Sequence, residues 1–475
     1  MIPIRLLGGL LFLNTLYHSA IASAPPENDS TLPLTLLPMG AQAGIAYQQL
    51  HTEKIASPFA EQLFYPPAST LKLFTALAAK LHFNADFHFS TKLYRHGKDL
   101  VFSFSGDPSF TSMHLKEALE RYKRSFPGDI NNIWIDKSQF TGYEKAVGWP
   151  WDITGVCYSA PASTINIDQN CIPASIYTNQ DGTTRVYVPE QYPIAVSTSV
   201  QAVSKKEKEK TQCKIELITQ ANNQYHLQGC LVYRDKPLPL NFALQNTRHY
   251  FKQQLKTYLD QTSINMTGEV EVKSFDDYKE MTLVYSHQSP NLTDLIEEML
   301  VTSDNLIADS LTKALGRSYF NVAGSFNNGT KAIKEILRTQ ANIDISHTRL
   351  QDGSGLSRNN RILVDDMLSV LKYTLENDER LQLLKLMPIA GKTGTLKYRR
   401  SMRKAPIEGN IIAKSGSLYG THNMAGYVLD KEKQPKGIFV QFVTDYFPNT
   451  QTRHTPTPIT QFETRLYQNL ITISQ

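Results

Sequence analysis

The chain has 475 residues, and 49 Lys and Arg residues against 44 Asp and Glu residues give it a formal net charge of +5. Hydrophobic residues make up 41% of the sequence and charged residues 20%, so a packed core is expected, and intrinsic disorder and low-complexity classes are excluded for most of the chain. The length predicts two to four domains. Because no long Lys/Arg stripe accompanies the mild positive charge, no nucleic-acid partner is expected.

The first 22 residues have the pattern of a secretory signal peptide. Arg5 precedes the apolar residues 6–13, and the small residues Ala20 and Ala22 predict cleavage before Ser23. The apolar run is shorter than the roughly 20 residues that span a bilayer, which disfavours the alternative of a membrane anchor. We therefore expect export to the periplasm, with a mature chain of net charge +4, since the signal peptide contains one Arg and no acidic residue.

A helix is predicted over residues 63–81. Pro66 and Pro67 lie near its start, which tolerates proline, and the residues that follow are apolar on nearly every side. This pattern is typical of a helix that is buried at the centre of a domain.

Residues 90–285 differ from the rest, with short β-like runs and turns. The cysteines of the chain all lie in this region: Cys157, Cys171, Cys213 and Cys230. Four cysteines allow three pairings, which sequence alone does not distinguish. Pairing of nearest neighbours is the simplest, and a zinc site is disfavoured because no cysteine has a second ligand at close spacing.

Three further parts of the sequence, after residue 200, predict local structure. The Lys/Glu run at residues 205–210 is expected to be a solvated surface segment. Helical periodicity resumes at residues 292–300 and 305–315, and two strand-like runs at residues 424–429 and 438–443 are joined by a polar turn. The region therefore predicts helices followed by a β-hairpin.

Ser69 and Lys72 form an S-x-x-K motif in the first predicted helix. Residues three apart share a helix face, so Lys72 can reach the Ser69 hydroxyl. A free hydroxyl is a poor nucleophile, and a lysine buried in a positively charged site loses its proton more easily, which makes Lys72 a candidate base. Ser69 is the predicted nucleophile; the alternative is an N-cap serine beside a solvated lysine.

A second motif, S-D-N, comprises Ser303, Asp304 and Asn305 and falls between two predicted helices. From a loop there, Ser303 would pass a proton between Lys72 and the leaving amine. Asn305 would bind the substrate backbone and help to fix Lys72, whereas Asp304 is interpreted as structural.

Another S-x-x-K string, at Ser310 and Lys313, lies in mid-helix with no helix start before it. We interpret it as a solvated helix face.

The third motif, K-T-G, has two candidates. Lys392 begins the literal match, but residues 396–400 behind it are too basic for a strand buried beside a nucleophile. Lys414, Ser415 and Gly416 instead follow an apolar run, and a substrate peptide adds to the edge of such a strand through main-chain hydrogen bonds. We therefore prefer Lys414, whose charge would attract the terminal carboxylate of the substrate.

In this assignment the backbone N–H groups of Ser417 and Ser69 would form the oxyanion hole. Each motif alone is weak, but the ordered set is typical of serine acyl-transfer enzymes that act on D-Ala-D-Ala peptides and on penicillins.

Nearly the whole mature chain resembles the class C low-molecular-mass penicillin-binding proteins, the penicillin-binding protein 4 family. The resemblance rests on the long insertion between the first two motifs and on strings similar to family segments. These strings lie at residues 148–152, 159–162, 352–358 and 391–399. The last is similar to a family loop upstream of the true third motif, which supports Lys414 over Lys392.

The resemblance implies an α/β (α+β) fold, in which a penicillin-recognising serine transpeptidase-like domain carries two inserted β-rich domains. The catalytic domain would comprise residues 23–88 and 287–475. Inserted domain II would comprise residues 89–190 and 250–286, and domain III residues 191–249.

The resemblance also implies D-alanyl-D-alanine carboxypeptidase and DD-endopeptidase activity on peptidoglycan stem peptides and cross-links, through an acyl-enzyme that β-lactam inhibitors also form. No cofactor or metal is expected. Family members receive the diaminopimelate side chain on an Asp of the inserted domain and an Arg near the cleft, which by motif match would be Asp168 and Arg358. Ser415 stands where the family usually has Thr, which leaves the β-lactam affinity open.

Three other functions are possible alternatives to a serine peptidase of peptidoglycan. A β-lactamase would share the chemistry but lacks so long an insertion, and no dedicated deacylation Glu is identifiable. A catalytically inactive cell-wall-binding module would not react with penicillin, and a metallopeptidase is disfavoured because no H-E-x-x-H motif occurs. Peripheral membrane association, homodimer formation and the balance between the two peptidase activities stay open.

Overall fold

The computed structural model describes residues 32–50, 55–449 and 456–474. The predicted signal peptide at residues 1–22 lies outside the described residues. In chain order the strands are β1 (Gln42–Gln49), β2 (Ile55–Phe59), β3 (Ser90–His96), β4 (Asp99–Phe104), β5 (Ile133–Asp136), β6 (Cys171–Thr178), β7 (Thr184–Tyr187), β8 (Ala195–Thr198), β9 (Gln201–Val203), β10 (Ile215–Gln220), β11 (Gln224–Val232), β12 (Leu238–Ala243), β13 (Val270–Val272), β14 (Thr282–Gln288), β15 (Ile411–Leu418), β16 (Thr421–Leu429) and β17 (Pro435–Thr444). The helices are α1 (Lys72–His82), α2 (Ser112–Ser125), α3 (Lys205–Thr211), α4 (Thr247–Thr262), α5 (Leu292–Val301), α6 (Asn305–Phe320), α7 (Phe326–Ala341), α8 (Val364–Glu376), α9 (Asp378–Leu381) and α10 (Pro458–Ser474).

A five-stranded antiparallel sheet of order β15-β16-β17-β1-β2 is the centre of the first unit. Successive side chains of a strand point to opposite faces. On β17, Ile438, Val440 and Phe442 therefore join the core formed with α1 and α5–α8, while Phe439 and Val443 join the core formed with α10. The hairpin and helices predicted for this region are confirmed, and the sheet is buried between two helical layers.

Helix α1 begins later than the sequence pattern predicts. A 3-10 turn, Ala68–Leu71, precedes it, and Ala68 has a φ of 49°, in the left-handed region that a right-handed helix does not use. The helix itself starts at Lys72 and is buried through Ala79. Ser69 thus lies in the turn that leads into a buried helix, and its position relative to the core is fixed.

The second unit is a sheet of order β13-β5-β4-β3-β14, which shares a core with α2 and α4. Strand β14 pairs antiparallel with β3 and leads the chain back to α5 of the first unit. The insertion therefore leaves and returns through neighbouring strands.

Two small sheets pack together in the third unit. One has the order β12-β6-β7, the other the order β10-β11-β8 with β9 also paired to β11, and their shared core includes Ile176, Tyr225, Leu227 and Phe242. Strand β6 pairs with both β12 and β7, so this sheet includes residues on both sides of the predicted boundary at residue 191.

The Lys/Glu run forms α3, which buries none of its residues, so the prediction of a solvated segment is confirmed. Both expected disulfides are present, Cys157–Cys171 and Cys213–Cys230. Among the described helices, none combines the length and apolarity needed to cross a membrane.

The interpretation of Ser310 and Lys313 as a solvated helix face is wrong. Lys313 is 1% exposed, and its Nζ donates to the carbonyls of Tyr143 at 2.8 Å and Ala162 at 2.6 Å. Ser310 is also buried and accepts from Asn166. Burial lowers the pKa of Lys313 to about 8. The inserted segment covers this face of α6, which the periodicity of α6 alone does not indicate.

We expect Lys313→Ala to lower the free energy of unfolding by roughly 2–4 kcal/mol, because the buried Ala162 carbonyl and the partly buried Tyr143 carbonyl lose their donor. Denaturant unfolding measures the effect. Lys331→Ala, which removes an exposed lysine from α7, is the control and should change stability by no more than about 0.5 kcal/mol. Equal, small losses for both variants would contradict the bridging role of Lys313.

Candidate active site

The Lys72 amine lies against the Ser69 hydroxyl, as the S-x-x-K spacing predicts. Lys72 Nζ donates to Ser69 Oγ at 3.1 Å, to Asn305 Oδ1 at 2.5 Å and to the Ser354 carbonyl at 2.8 Å. An ammonium has three donors, so these contacts use all of them. The amine is therefore held in one position.

Burial determines the protonation of this amine. Lys72 is fully buried, and loss of solvation lowers its pKa to about 8, although the nearby carboxylates of Asp309, Asp304 and Asp352 act to raise it. A pKa this close to neutrality lets an amine accept and return a proton. Lys72 can thus serve as a base toward Ser69.

The S-D-N motif lies between α5 and α6, where the sequence places it. Asp304 is the N-cap of α6 and accepts from the Ile307 N–H at 2.8 Å, which satisfies a free donor of the first helical turn. Ser303 precedes it with a φ of 65°. Asn305 donates its amide to the Tyr158 carbonyl at 2.7 Å, so the inserted segment orients the side chain that contacts Lys72.

Lys414 lies on β15, and its Nζ donates to Ser303 Oγ at 2.9 Å and to the Ser415 carbonyl at 3.0 Å. Its pKa is well below the usual range because the amine is buried and because the cations of Lys72 and Arg399 disfavour a further charge. The structure therefore brings together two lysine–serine pairs, one at Ser69 and one at Ser303.

Strand β15 passes very close to the nucleophile. A Cβ added to Gly416 would lie 2.8 Å from the Pro67 carbonyl and 3.1 Å from the Ser69 nitrogen, so a side chain does not fit there. Ser417, the next residue, lines the same cavity as Ser69. This close approach brings the backbone of β15 beside the Ser69 N–H, as an oxyanion hole requires.

Lys392, the rejected candidate, lies at the surface and forms an ion pair with Glu408 at 2.9 Å. The loop that follows nevertheless supports the site. Thr395 Oγ1 and Ser415 Oγ share a hydrogen bond of 2.8 Å. Arg399 is largely buried and pairs with Glu463 of α10, so the basic character of this loop does not exclude burial.

The motifs open into a cavity of about 1060 Å³. Ser69, Ser303, Asn305 and Ser417 line this cavity. Further lining residues include Trp151, Asp152, Tyr158, Arg358 and Tyr419. The Arg358 guanidinium lies 5.8 Å from the centre of the Tyr419 ring.

Asp168 does not line this cavity. Its Oδ1 accepts from the Ser112 N–H and its Oδ2 from the Tyr250 hydroxyl, both at 2.8 Å. The carboxylate thus holds the first turn of α2 in the second unit. Asp152, which motif matching does not select, is the carboxylate of the inserted segment that faces the cavity.

Asp309 and Asp352 are buried carboxylates near the site that the sequence motifs do not identify. Asp309 Oδ1 accepts from the N–H groups of Gly353 and Ser354, both at 3.0 Å. Asp352 accepts from the Ser357 N–H at 2.6 Å and from the Trp149 indole at 2.9 Å. These bonds shape the loop whose Ser354 carbonyl receives the Lys72 amine.

Comparison with known proteins agrees with this geometry. The model of the D-Ala-D-Ala carboxypeptidase 3 (S13) family matches residues 34–466. The D-alanyl-D-alanine carboxypeptidase DacB of Haemophilus influenzae is 35% identical over 446 residues, which cover 91% of this chain and 92% of that protein.

Solved structures give the same result. The crystal structure of penicillin binding protein 4 (DacB) from H. influenzae matches with a TM-score of 0.84 at 34% identity, covering 92% of this chain and 98% of that one. The structure of that protein complexed with a novel β-lactam matches with a TM-score of 0.80, at the same identity and coverage. The predicted fold class is confirmed, and the chain belongs to the D-Ala-D-Ala carboxypeptidase 3 (S13) family of serine carboxypeptidases.

Proposed function

We propose that this protein removes the terminal D-Ala from peptidoglycan stem peptides through an ester formed on Ser69, and that it works in the periplasm. The observation that carries the proposal is the 3.1 Å contact between Lys72 Nζ and Ser69 Oγ, next to a second lysine–serine pair. The relatives named D-alanyl-D-alanine carboxypeptidase support this choice of substrate.

Acylation begins when uncharged Lys72 takes the hydroxyl proton of Ser69, and Oγ attacks the carbonyl carbon of the penultimate D-Ala. The negative charge that develops on the carbonyl oxygen is stabilised by the N–H groups of Ser69 and Ser417. The close passage of Gly416 past Ser69 supports this pairing of donors.

The leaving amine needs a proton as the C–N bond breaks. Ser303 can deliver it from its hydroxyl, and the proton that Lys72 took from Ser69 then restores that hydroxyl, which leaves Lys72 uncharged. Lys414 donates to Ser303 Oγ at 2.9 Å and holds the hydroxyl in place. A substrate carboxylate that approaches Lys414 favours the charged form of Lys414. Water then hydrolyses the ester, with Lys72 again as the base.

Asp309 is a positioning residue in this scheme. It holds the N–H of Ser354, and the carbonyl of Ser354 contacts Lys72. Burial and the neighbouring Asp352 raise the pKa of Asp309, and the ionised form of Asp309 in turn raises the pKa of Lys72. Asp309 therefore acts on the base through both geometry and charge.

We further propose that Asp152 and Arg358 receive the diaminopimelate side chain, whose end carries an amine and a carboxylate. Both residues line the cavity, whereas Asp168 does not and has partners on both oxygens. A carboxylate and a guanidinium at one cavity match the two charges of this side chain. Recognition of that group would also admit D-Ala–diaminopimelate cross-links, the substrates of a DD-endopeptidase.

The same cavity supports acylation by penicillins. A β-lactam presents a carbonyl carbon to Ser69 and a carboxylate to the Lys414 side of the site. The complex of the H. influenzae relative with a β-lactam supports this extension. Ser415 keeps the hydroxyl of the usual Thr, and Thr395 holds it in place.

Ser69→Ala should abolish labelling by a fluorescent penicillin, since no oxygen remains to form the ester. Lys414→Ala should slow labelling by roughly 100-fold or more, whereas Lys392→Ala should leave it largely intact. Gel fluorescence time courses measure all three. If Lys392→Ala proves the more damaging, the assignment of the third motif is wrong.

Asp309→Asn should move the pH profile of penicillin acylation to lower pH. The wild-type rate is expected to rise as pH rises toward the Lys72 pKa of about 8, because only the uncharged amine is a base. Loss of the Asp309 carboxylate removes a charge that favours the ammonium form, so the amine becomes uncharged at lower pH. Asp260→Asn, at an exposed position of α4, is the control; a lower rate with an unmoved midpoint would indicate a purely structural role.

Asp152→Asn should weaken cleavage of diaminopimelate peptides by about tenfold relative to simple D-Ala-D-Ala analogues. Asp168→Asn should not change that ratio. The ratio of kcat/KM on the two substrates measures specificity independently of the amount of folded enzyme. Equal losses on both substrates for Asp152→Asn, or a selective loss for Asp168→Asn, would refute the assignment.

A further inference from the structure

A second cavity, of about 1030 Å³, lies beside the active-site cavity. It is formed by β10 and β11 of one small sheet, by β12 of the other, and by the segment that carries Cys157. Trp151, Asp152 and Tyr158 line both cavities. The two cavities are thus adjacent, and these three side chains form a shared wall between them.

Close packing holds this wall in place. A Cβ added to Gly155 would lie 2.5 Å from Leu217 and 2.6 Å from Thr219 of β10. The segment therefore rests directly on the third unit, and the second cavity is part of the same framework as the first.

The lining combines an apolar floor with polar groups. The apolar residues are Ile215, Leu217, Leu227, Leu240 and Phe242. At the same cavity, Gln228 Nε2 donates to Glu216 Oε2 at 2.9 Å, and Asn241 is exposed. The indole of Trp151 stands at the shared wall with 87% of its surface exposed.

We propose that this second cavity binds the sugar-linked end of the stem peptide whose D-Ala end occupies the Ser69 site. This inference rests on the proposed function, because a stem peptide is attached to an N-acetylated disaccharide. Four extended residues span at most about 14 Å, so the sugar end must bind near the nucleophile, and the second cavity adjoins the first on its inserted-domain side.

The chemistry of the lining fits a sugar. An exposed indole offers a broad apolar surface with an N–H at its edge, on which one face of a pyranose ring can stack. Side-chain amides and a carboxylate offer both donors and acceptors to hydroxyl and N-acetyl groups. A cavity with an apolar floor and few polar groups is the usual form of a small-ligand site.

The test compares two substrates on the full mature protein: a free stem pentapeptide, and the same pentapeptide linked to its disaccharide. We expect the wild type to have a higher kcat/KM on the sugar-linked peptide. Gln228→Ala combined with Asn241→Ala should reduce the ratio of the two kcat/KM values by about tenfold. Because both rates come from one preparation, a loss of folded protein cancels from the ratio.

Gln220→Ala combined with Gln224→Ala is the matched control. These two exposed residues face each other at the far end of the same β10–β11 pair and do not line the cavity. The control should keep the wild-type ratio.

A wild-type ratio of one, or a ratio that Gln228→Ala with Asn241→Ala does not change, would overturn the proposal. A sugar-free cross-linked peptide dimer provides a further arm. If the variant loses activity on that dimer as strongly as on the sugar-linked peptide, a second peptide occupies the cavity and the sugar assignment is refuted. If the wild type turns over neither pentapeptide, the proposed carboxypeptidase function is itself refuted. If it turns over both but without a preference for the sugar-linked peptide, only the proposed sugar site is refuted.

Discussion

The burial of two lysine amines within one site is the constraint on which the arrangement depends. Each amine faces a serine hydroxyl, Lys72 at Ser69 and Lys414 at Ser303. Desolvation makes charge costly on both. Three carboxylates act in favour of charge on Lys72, whereas Lys72 and Arg399 act against charge on Lys414. The two amines therefore differ in basicity although they share a site, and they can take different parts in one proton transfer.

Much of the structure around these amines keeps their partners in place. The Ser354 N–H donates to Asp309, the Asn305 amide donates to the Tyr158 carbonyl, and the Ser415 hydroxyl shares a hydrogen bond with Thr395. Each support comes from a different stretch of chain. A hydrogen bond from a fixed partner costs less ordering entropy than one from a mobile side chain, so these contacts favour a single geometry at the nucleophile.

The contacts that depend on short-range spacing are predicted from the sequence. Ser69 and Lys72 are neighbours on one turn and meet in the structure, and the hairpin after Lys414 follows from two strand-like runs joined by a polar turn. The buried face at Lys313 and the boundary of the third unit depend on which segments pack together, which local patterns do not encode. Asp152 is missed for the same reason, since only the folded chain shows that Asp152 lines the same cavity as Arg358 and that Asp168 does not.

The loop at residues 391–399 contains one residue whose exposure agrees with the sequence pattern and one whose burial does not. Its literal K-T-G match is set aside in favour of Lys414, and Lys392 lies at the surface, paired with Glu408. Its basic composition is misleading, however, because Arg399 is buried by pairing with Glu463 of the distant helix α10. The basic residues of the loop indicate that a buried arginine would need an acidic partner. The sequence pattern does not identify that partner as Glu463.

The bond from Asn305 to the Tyr158 carbonyl has a consequence for protein engineering. The insertion is joined to the catalytic unit through neighbouring strands, which makes it an attractive target for excision. A protein shortened in this way would keep the residues of all three motifs. It would lose the Tyr158 carbonyl, which accepts from the Asn305 amide and orients it. The inserted segment therefore contributes to the geometry around Asn305 as well as to its own units.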